Sequence, residues 1–137
     1  MRRKTTKLVL IVFVFMTISG FANANTPQPP LMSIETIPAP EGNWVYLPEG
    51  NGEMVIHVST AYTNTLNVWR VPTGTQQWEN RTLICNEKGN KDDRTCIWRY
   101  TKDDTIHDHF VVEASGEGGS IKDSINVSRR HDEDHPQ

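Results

Sequence analysis

An all-β fold, a small antiparallel β-sandwich of about seven strands, is what this chain predicts, and three observations carry it. Short apolar runs alternate with polar residues at a period of two; Gly, Pro and Asn punctuate the chain roughly every ten residues; and beyond the leader no stretch carries a 3.6-residue apolar stripe.

The leader comes first. Arg2, Arg3, Lys4 and Lys7 form a basic start, residues 8–18 are apolar apart from Thr17, and residues 21–24 (FANA) end in a small-x-small pattern. This is the layout of a secretory signal peptide with cleavage after Ala24, and its compact Ala-x-Ala end is of the bacterial kind. The apolar run is about half the ~20 residues a membrane-spanning helix needs, so export is expected and membrane insertion of the mature chain is not.

Removing residues 1–24 takes four of the fourteen basic residues and none of the seventeen acidic ones, which leaves ten against seventeen, a net charge of −7. An acidic domain without a basic stripe argues against nucleic acid as a partner, because phosphate contacts need clustered Lys or Arg. Two cysteines in an exported chain predict one disulfide, Cys85 to Cys96. The expected organisation is a signal peptide (1–24), an extended Pro-rich segment (25–30), a single β-sandwich domain (31–128) and a charged, disordered tail (129–137).

Within the domain, residues 31–37 are a candidate edge strand, broken by Pro38 and Pro40. Residues 44–47 (WVYL) are a short strand closed by a turn at Pro48, Gly50 and Gly52. Met54, Ile56 and Val58 alternate against Val55, His57 and Ser59, as a half-buried strand requires; His57 falls on the polar side and is assigned no role. In residues 64–71, Leu66 and Val68 alternate with Asn67 and Trp69 before the Pro72-Thr73-Gly74 turn. Residues 109–114 and 120–127 are two further strands joined by the glycine-rich 115–119, with Ile121, Ile125 and Val127 on one side. That last hairpin looks immunoglobulin-like in general architecture, although the Cys…Trp…Cys spacing of true immunoglobulin domains is absent.

Residues 81–85 and 95–100 read as a disulfide-tied hairpin. Placing Cys85 opposite Cys96 sets Ile84 against Ile97, Leu83 against Trp98 and Arg81 against Tyr100. Leu83, Cys85, Cys96, Trp98 and Tyr100 would then share the core face, and residues 86–95 would form a long polar tip.

Chemistry is thinly represented. There is no Gly-x-Ser-x-Gly, no free cysteine to pair with a histidine, and no glycine loop opening a helix. His107 and His109, at i and i+2 on a strand, point to one side and with Asp104 could ligate zinc; otherwise no cofactor is expected. Trp69 and Trp78 bracket the 72–74 turn among polar neighbours and are the candidate ligand-binding aromatics, whereas Trp98 is expected in the core. The function these features predict is a secreted or periplasmic binding module, without catalysis, for a protein partner or a glycan. The alternative is a small metal-dependent hydrolase using His107 and His109.

Overall fold

The structure, a computed structural model, describes residues 27, 29, 32–73 and 78–130. The expected signal peptide, with its cleavage point, and residues 131–137 of the expected tail lie outside the described residues.

Eight strands form among the described residues: β1 (Ser33–Ile37), β2 (Trp44–Leu47), β3 (Gly52–Ser59), β4 (Thr65–Pro72), β5 (Thr82–Lys88), β6 (Asp93–Tyr100), β7 (His107–Gly116) and β8 (Gly119–Arg129). They build an all-β sandwich of a three-stranded sheet, order β1-β3-β6, and a five-stranded sheet, order β2-β8-β7-β4-β5. All pairs are antiparallel except β2 with β8, where Trp44 to Leu47 run parallel to Asn126 to Arg129. A parallel pair needs a long connection between its strands, and here most of the domain intervenes. The expected antiparallel sandwich is what forms, with a single parallel pair at this one edge.

The period of two sorts side chains as the alternation predicts. Met54, Ile56 and Val58 of β3 point inward, as do Leu66 and Val68 of β4 and Phe110, Val112 and Ala114 of β7; all are buried. Trp98 completes the centre, its ring 4.9 Å from that of Phe110 and 5.6 Å from that of Tyr100. Burying each large apolar side chain stabilises the fold by about 1.5–3 kcal/mol, so these alternating positions supply the main driving force.

The disulfide forms, but the hairpin does not. Cys85 and Cys96 are bonded with their Cα atoms 6.0 Å apart. Yet β5 pairs with β4 in one sheet, and β6 pairs with β3 in the other. The chain between them arches from sheet to sheet, and the bond crosses the sandwich. None of the cross-strand pairs expected between residues 81–85 and 95–100 exists: Trp98 lies opposite Met54, Ile97 opposite Val55 and Tyr100 opposite Gly52. The expected core face of β5 is also corrected. Val68 pairs with Cys85 and Trp69 with Leu83, so Ile84 is an extra residue in a β-bulge. That extra residue reverses the alternation: Leu83 is 45% exposed, while Ile84 and Cys85 both pack against the core.

The sandwich also continues past the expected boundary at residue 128. β8 runs to Arg129, whose guanidinium donates to the carbonyls of Gly50 (2.9 Å), Thr101 (2.7 Å) and Asp104 (3.2 Å). Arg130 donates through its backbone N–H to the Leu47 carbonyl and through Nη2 to Glu41. Both arginines therefore belong to the domain rather than to a tail.

Two predictions follow from this packing. Because the disulfide ties two sheets across a short loop, the double variant Cys85→Ala, Cys96→Ala should lose roughly 3 kcal/mol of unfolding free energy in the chain-entropy account. Urea unfolding reads this directly, and a loss well below about 1 kcal/mol would show that packing alone holds the sheets. The second concerns Gly116, where an added Cβ would lie 2.0 Å from the Tyr62 carbonyl oxygen. Backbone cannot yield as a side chain can, so Gly116→Ala should cost about 2 kcal/mol or more, measured as a lower thermal midpoint.

Candidate functional site

The outer face of the five-stranded sheet collects the chemically distinctive side chains. Register sets its rows: Val71 of β4, His109 of β7, Asn126 of β8 and Trp44 of β2 lie across one line. Trp69, Val111 and Ser124 form the next, and Asn67, Glu113 and Lys122 the third. Alternation turns these positions away from the core, although Val71 is itself covered and buried.

A short 3₁₀ turn, Trp78–Asn80, lays Trp78 over this face. Its ring lies 5.9 Å from that of Trp69 in an edge-on arrangement at 63°. Arg81 places its guanidinium carbon 4.6 Å from the Trp69 ring and 4.5 Å from the Trp78 ring, and is held there by donating to the Trp78 carbonyl at 3.0 Å. Lys122 Nζ stands 4.4 Å from the Trp78 ring and 3.3 Å from a Glu113 oxygen. Two indoles and two cations thus form one cation–π cluster, with Glu113 beside it, each ring contact contributing about 0.5–2 kcal/mol according to its exposure. Trp69 Nε1 is buried and meets no acceptor among the described residues. Beside the cluster opens a shallow cleft of about 260 Å³, lined by Val71, Trp78, His109, Val111, Ser124 and Asn126.

The expected surface pair, Trp69 and Trp78, is therefore brought together, although the rings are half-buried and their faces already carry Arg81 and Lys122. These two cations were not singled out by residue pattern. The expected hairpin directed Arg81 toward Tyr100; Lys122 shares the parity of Ser124 and Asn126, a signal that does place it on the outer face.

His107 and His109 also share this face, as the i, i+2 spacing requires. His107 stacks on Trp44, ring centroids 4.9 Å apart at 15°, with Nδ1 3.3 Å from Ser128 Oγ. His109 turns Nδ1 to Asn126 Oδ1. Asp104 is engaged elsewhere, accepting from the Thr101 N–H at 2.6 Å and the Thr101 hydroxyl at 3.2 Å. Among the described residues no group of three or more His, Cys, Asp or Glu could hold a metal ion.

Known protein-family models and curated protein sequences give no match to this chain. A solved structure does: the superoxide reductase (neelaredoxin) of Ignicoccus hospitalis superposes with a TM-score of 0.55 at 10% identity, covering 77% of this chain and 84% of that one. The likeness is one of fold. It agrees with the two-sheet architecture and carries no site residue across.

The Thr101–Asp104 turn makes an acid-dependent contribution. Asp104's carboxyl is held below its ordinary value, first by the Thr101 backbone N–H, against some opposing desolvation, with the Thr101 hydroxyl and the charges of Arg70 and Arg129 adding to the lowering. A depressed folded pKa means that the stability it lends is whole above its unfolded value, about 3.9 for Asp, and is lost as pH falls through the folded value. The parent should accordingly exceed Asp104→Asn in stability at neutral pH and converge with it in acid. Denaturant titrations at both pH values check this; a gap of constant size would show that ionised Asp104 lends no stability.

Proposed function

We propose that this chain is an exported binding module that acts without catalysis, and that it recognises a protein partner through the outer face of its five-stranded sheet. The observation that carries the reading is the Trp69–Trp78 pair under Arg81 and Lys122, set beside the 260 Å³ cleft. Trp and Arg are the residues that most often anchor protein interfaces, and half-buried rings next to a cleft offer a rigid surface at small entropic cost. The cations supply a complement for a carboxylate of the partner, on a domain whose charge is otherwise acidic. Export is supported by the basic, apolar and small-x-small order of residues 1–24.

The glycan reading rests on the polar side of the same cleft, where His109, Ser124 and Asn126 could meet hydroxyls. It is weaker here because a sugar stacks on an open ring face, and those of Trp69 and Trp78 already hold cations. The hydrolase reading on His107, His109 and Asp104 is weaker still, since the three side chains serve separate local contacts.

A photo-crosslinker at Ser124 of the mature protein, added to the envelope and culture fractions of the exporting cell, tests the proposal. A discrete protein adduct is expected, with affinity falling by about thirtyfold or more in Trp78→Ala, the loss of one interface anchor. No adduct, together with quenching of Trp fluorescence by a polysaccharide, would establish the glycan reading instead. Stoichiometric zinc in the purified protein, absent from His107→Ala, His109→Ala, would favour the hydrolase.

A further inference from the structure

At the end of the sandwich away from the 101–106 loop, three connections meet: residues 60–64 between β3 and β4, residues 89–92 between β5 and β6, and the turn between β7 and β8. They are tied by backbone bonds, Thr60 N–H to Asp92 O (2.9 Å), Gly89 N–H to Asn64 O (2.8 Å) and Asn64 N–H to Ser115 O (2.8 Å). Between them lies a pocket of about 360 Å³, lined by Tyr62, Thr63, Asn64, Asn90, Asp92 and Glu117, with Pro27 at its side. This is the size of a small-molecule site.

Two independent features mark it as built. Tyr62 is 59% exposed and sits at φ 55°, a left-handed conformation that a bulky residue adopts only when its surroundings impose it. What imposes it is visible: its carbonyl oxygen fills the space where Gly116 lacks a side chain. An aromatic ring is thus held out to solvent at a backbone cost. Behind the pocket, Arg94 is only 4% exposed and donates through Nη2 to the carbonyls of Thr63 (3.0 Å) and Gly89. Its Nε and Nη1 are buried and have no partner among the described residues. A buried guanidinium with unmet donors is costly, and this one is anchored to the carbonyl of Thr63, in the pocket lining, and to that of Gly89, beside the lining residue Asn90.

The lining selects a ligand class. It presents carboxylates that only accept, amides that accept and donate, hydroxyls and an exposed ring, and it carries no Lys or Arg, so phosphates and carboxylates are disfavoured. The complement is a molecule with several hydroxyl donors around an apolar face that can lie on a ring. We propose that this pocket binds a saccharide unit, whose C–H face rests on Tyr62 and whose hydroxyls donate to Asp92, Glu117 and the amide oxygens of Asn64 and Asn90. The site is separate from the outer-face surface and does not depend on it.

Titration of ¹⁵N-labelled mature protein with glucose, N-acetylglucosamine and glucosamine, followed by amide spectra, tests this. At least one sugar should give saturable shifts of the Asn64 and Asn90 side-chain amides and the Glu117 backbone amide. Tyr62→Gly keeps the left-handed turn open to the chain, so the fold survives while the ring is lost; it should weaken binding by about tenfold or more, with Asp92→Asn also weakened and Asp103→Asn, at the opposite end, equal to the parent. Absence of saturable shifts with all three sugars would overturn the proposal. So would binding that is unchanged in both Tyr62→Gly and Asp92→Asn, or glucosamine binding matched by ethanolamine, which would show that an amine alone suffices.

Discussion

The two sheets share no strand, so the sandwich depends on what crosses between them, and beside the chain's own connections the covalent cross-link is the bond from Cys85 to Cys96. It joins the last strand of one sheet to the last strand of the other, at the side where both edges lie open. The apolar layer does the larger share of stabilisation, but it is non-directional and fixes no particular alignment of one sheet on the other. The bond does fix one. With β5 and β6 pinned, the arch between them is short, and the bulge at Ile84 lets two consecutive residues, Ile84 and Cys85, face the core at the point where the crossing must occur.

Alternation made most strands legible, because a side-chain period of two is a local property of the sequence. The faces of β3, β4 and β8 emerge as expected, and His57 sits on the outer side of its sheet, where Nδ1 meets the Thr95 hydroxyl at 3.1 Å. Sheet membership is a non-local property, and there the reading failed. Two adjacent apolar strands around a polar tip describe an arch between sheets as well as they describe a hairpin, and two cysteines can bond across either. The bulge was equally invisible, since one inserted residue leaves no mark in composition while it reverses the direction of Leu83. The end of the domain was misplaced for a different reason. Arg129 and Arg130 look like tail residues when judged by charge, yet one docks through its guanidinium and the other through its backbone and a surface ion pair.

The candidate site was half legible. Trp69 and Trp78 stood out by residue type, and the shared face of His107 and His109 followed from spacing. The partners that define the chemistry did not, because Arg81 reaches the indoles from the residue before β5 and Lys122 from β8. Asp104, attractive beside two histidines in sequence, is a turn residue in space; its acceptors serve Thr101, and the histidines have other neighbours. Proximity in sequence was a poor guide to convergence for Lys122, which comes from far along the chain, and for Asp104, which stays apart from the nearby histidines.

Arginine explains why the two ends of the sandwich differ. Arg70 pairs with buried Asp108 at 2.8 Å, donates to the Thr105 carbonyl and lies over Trp98, so its charge is compensated on every side. Arg129 spends two nitrogens on three carbonyls and lies over Tyr100, whose burial raises its phenol pKa although the nearby Arg129 charge opposes the rise. Together they close the end that carries the 101–106 loop with carbonyl contacts and one carboxylate. Arg94 does the corresponding work at the other end with Nη2 alone, and its two remaining nitrogens stay unmet among the described residues. Arg129 Nε is likewise buried without a partner among the described residues, so unmet guanidinium donors occur at both ends. What sets Arg94 apart is its setting: its Nη2 ties the carbonyls of Thr63 and Gly89, in two connections that border the acidic, amide-lined pocket, so the same charge that holds those connections together also holds the pocket wall in place.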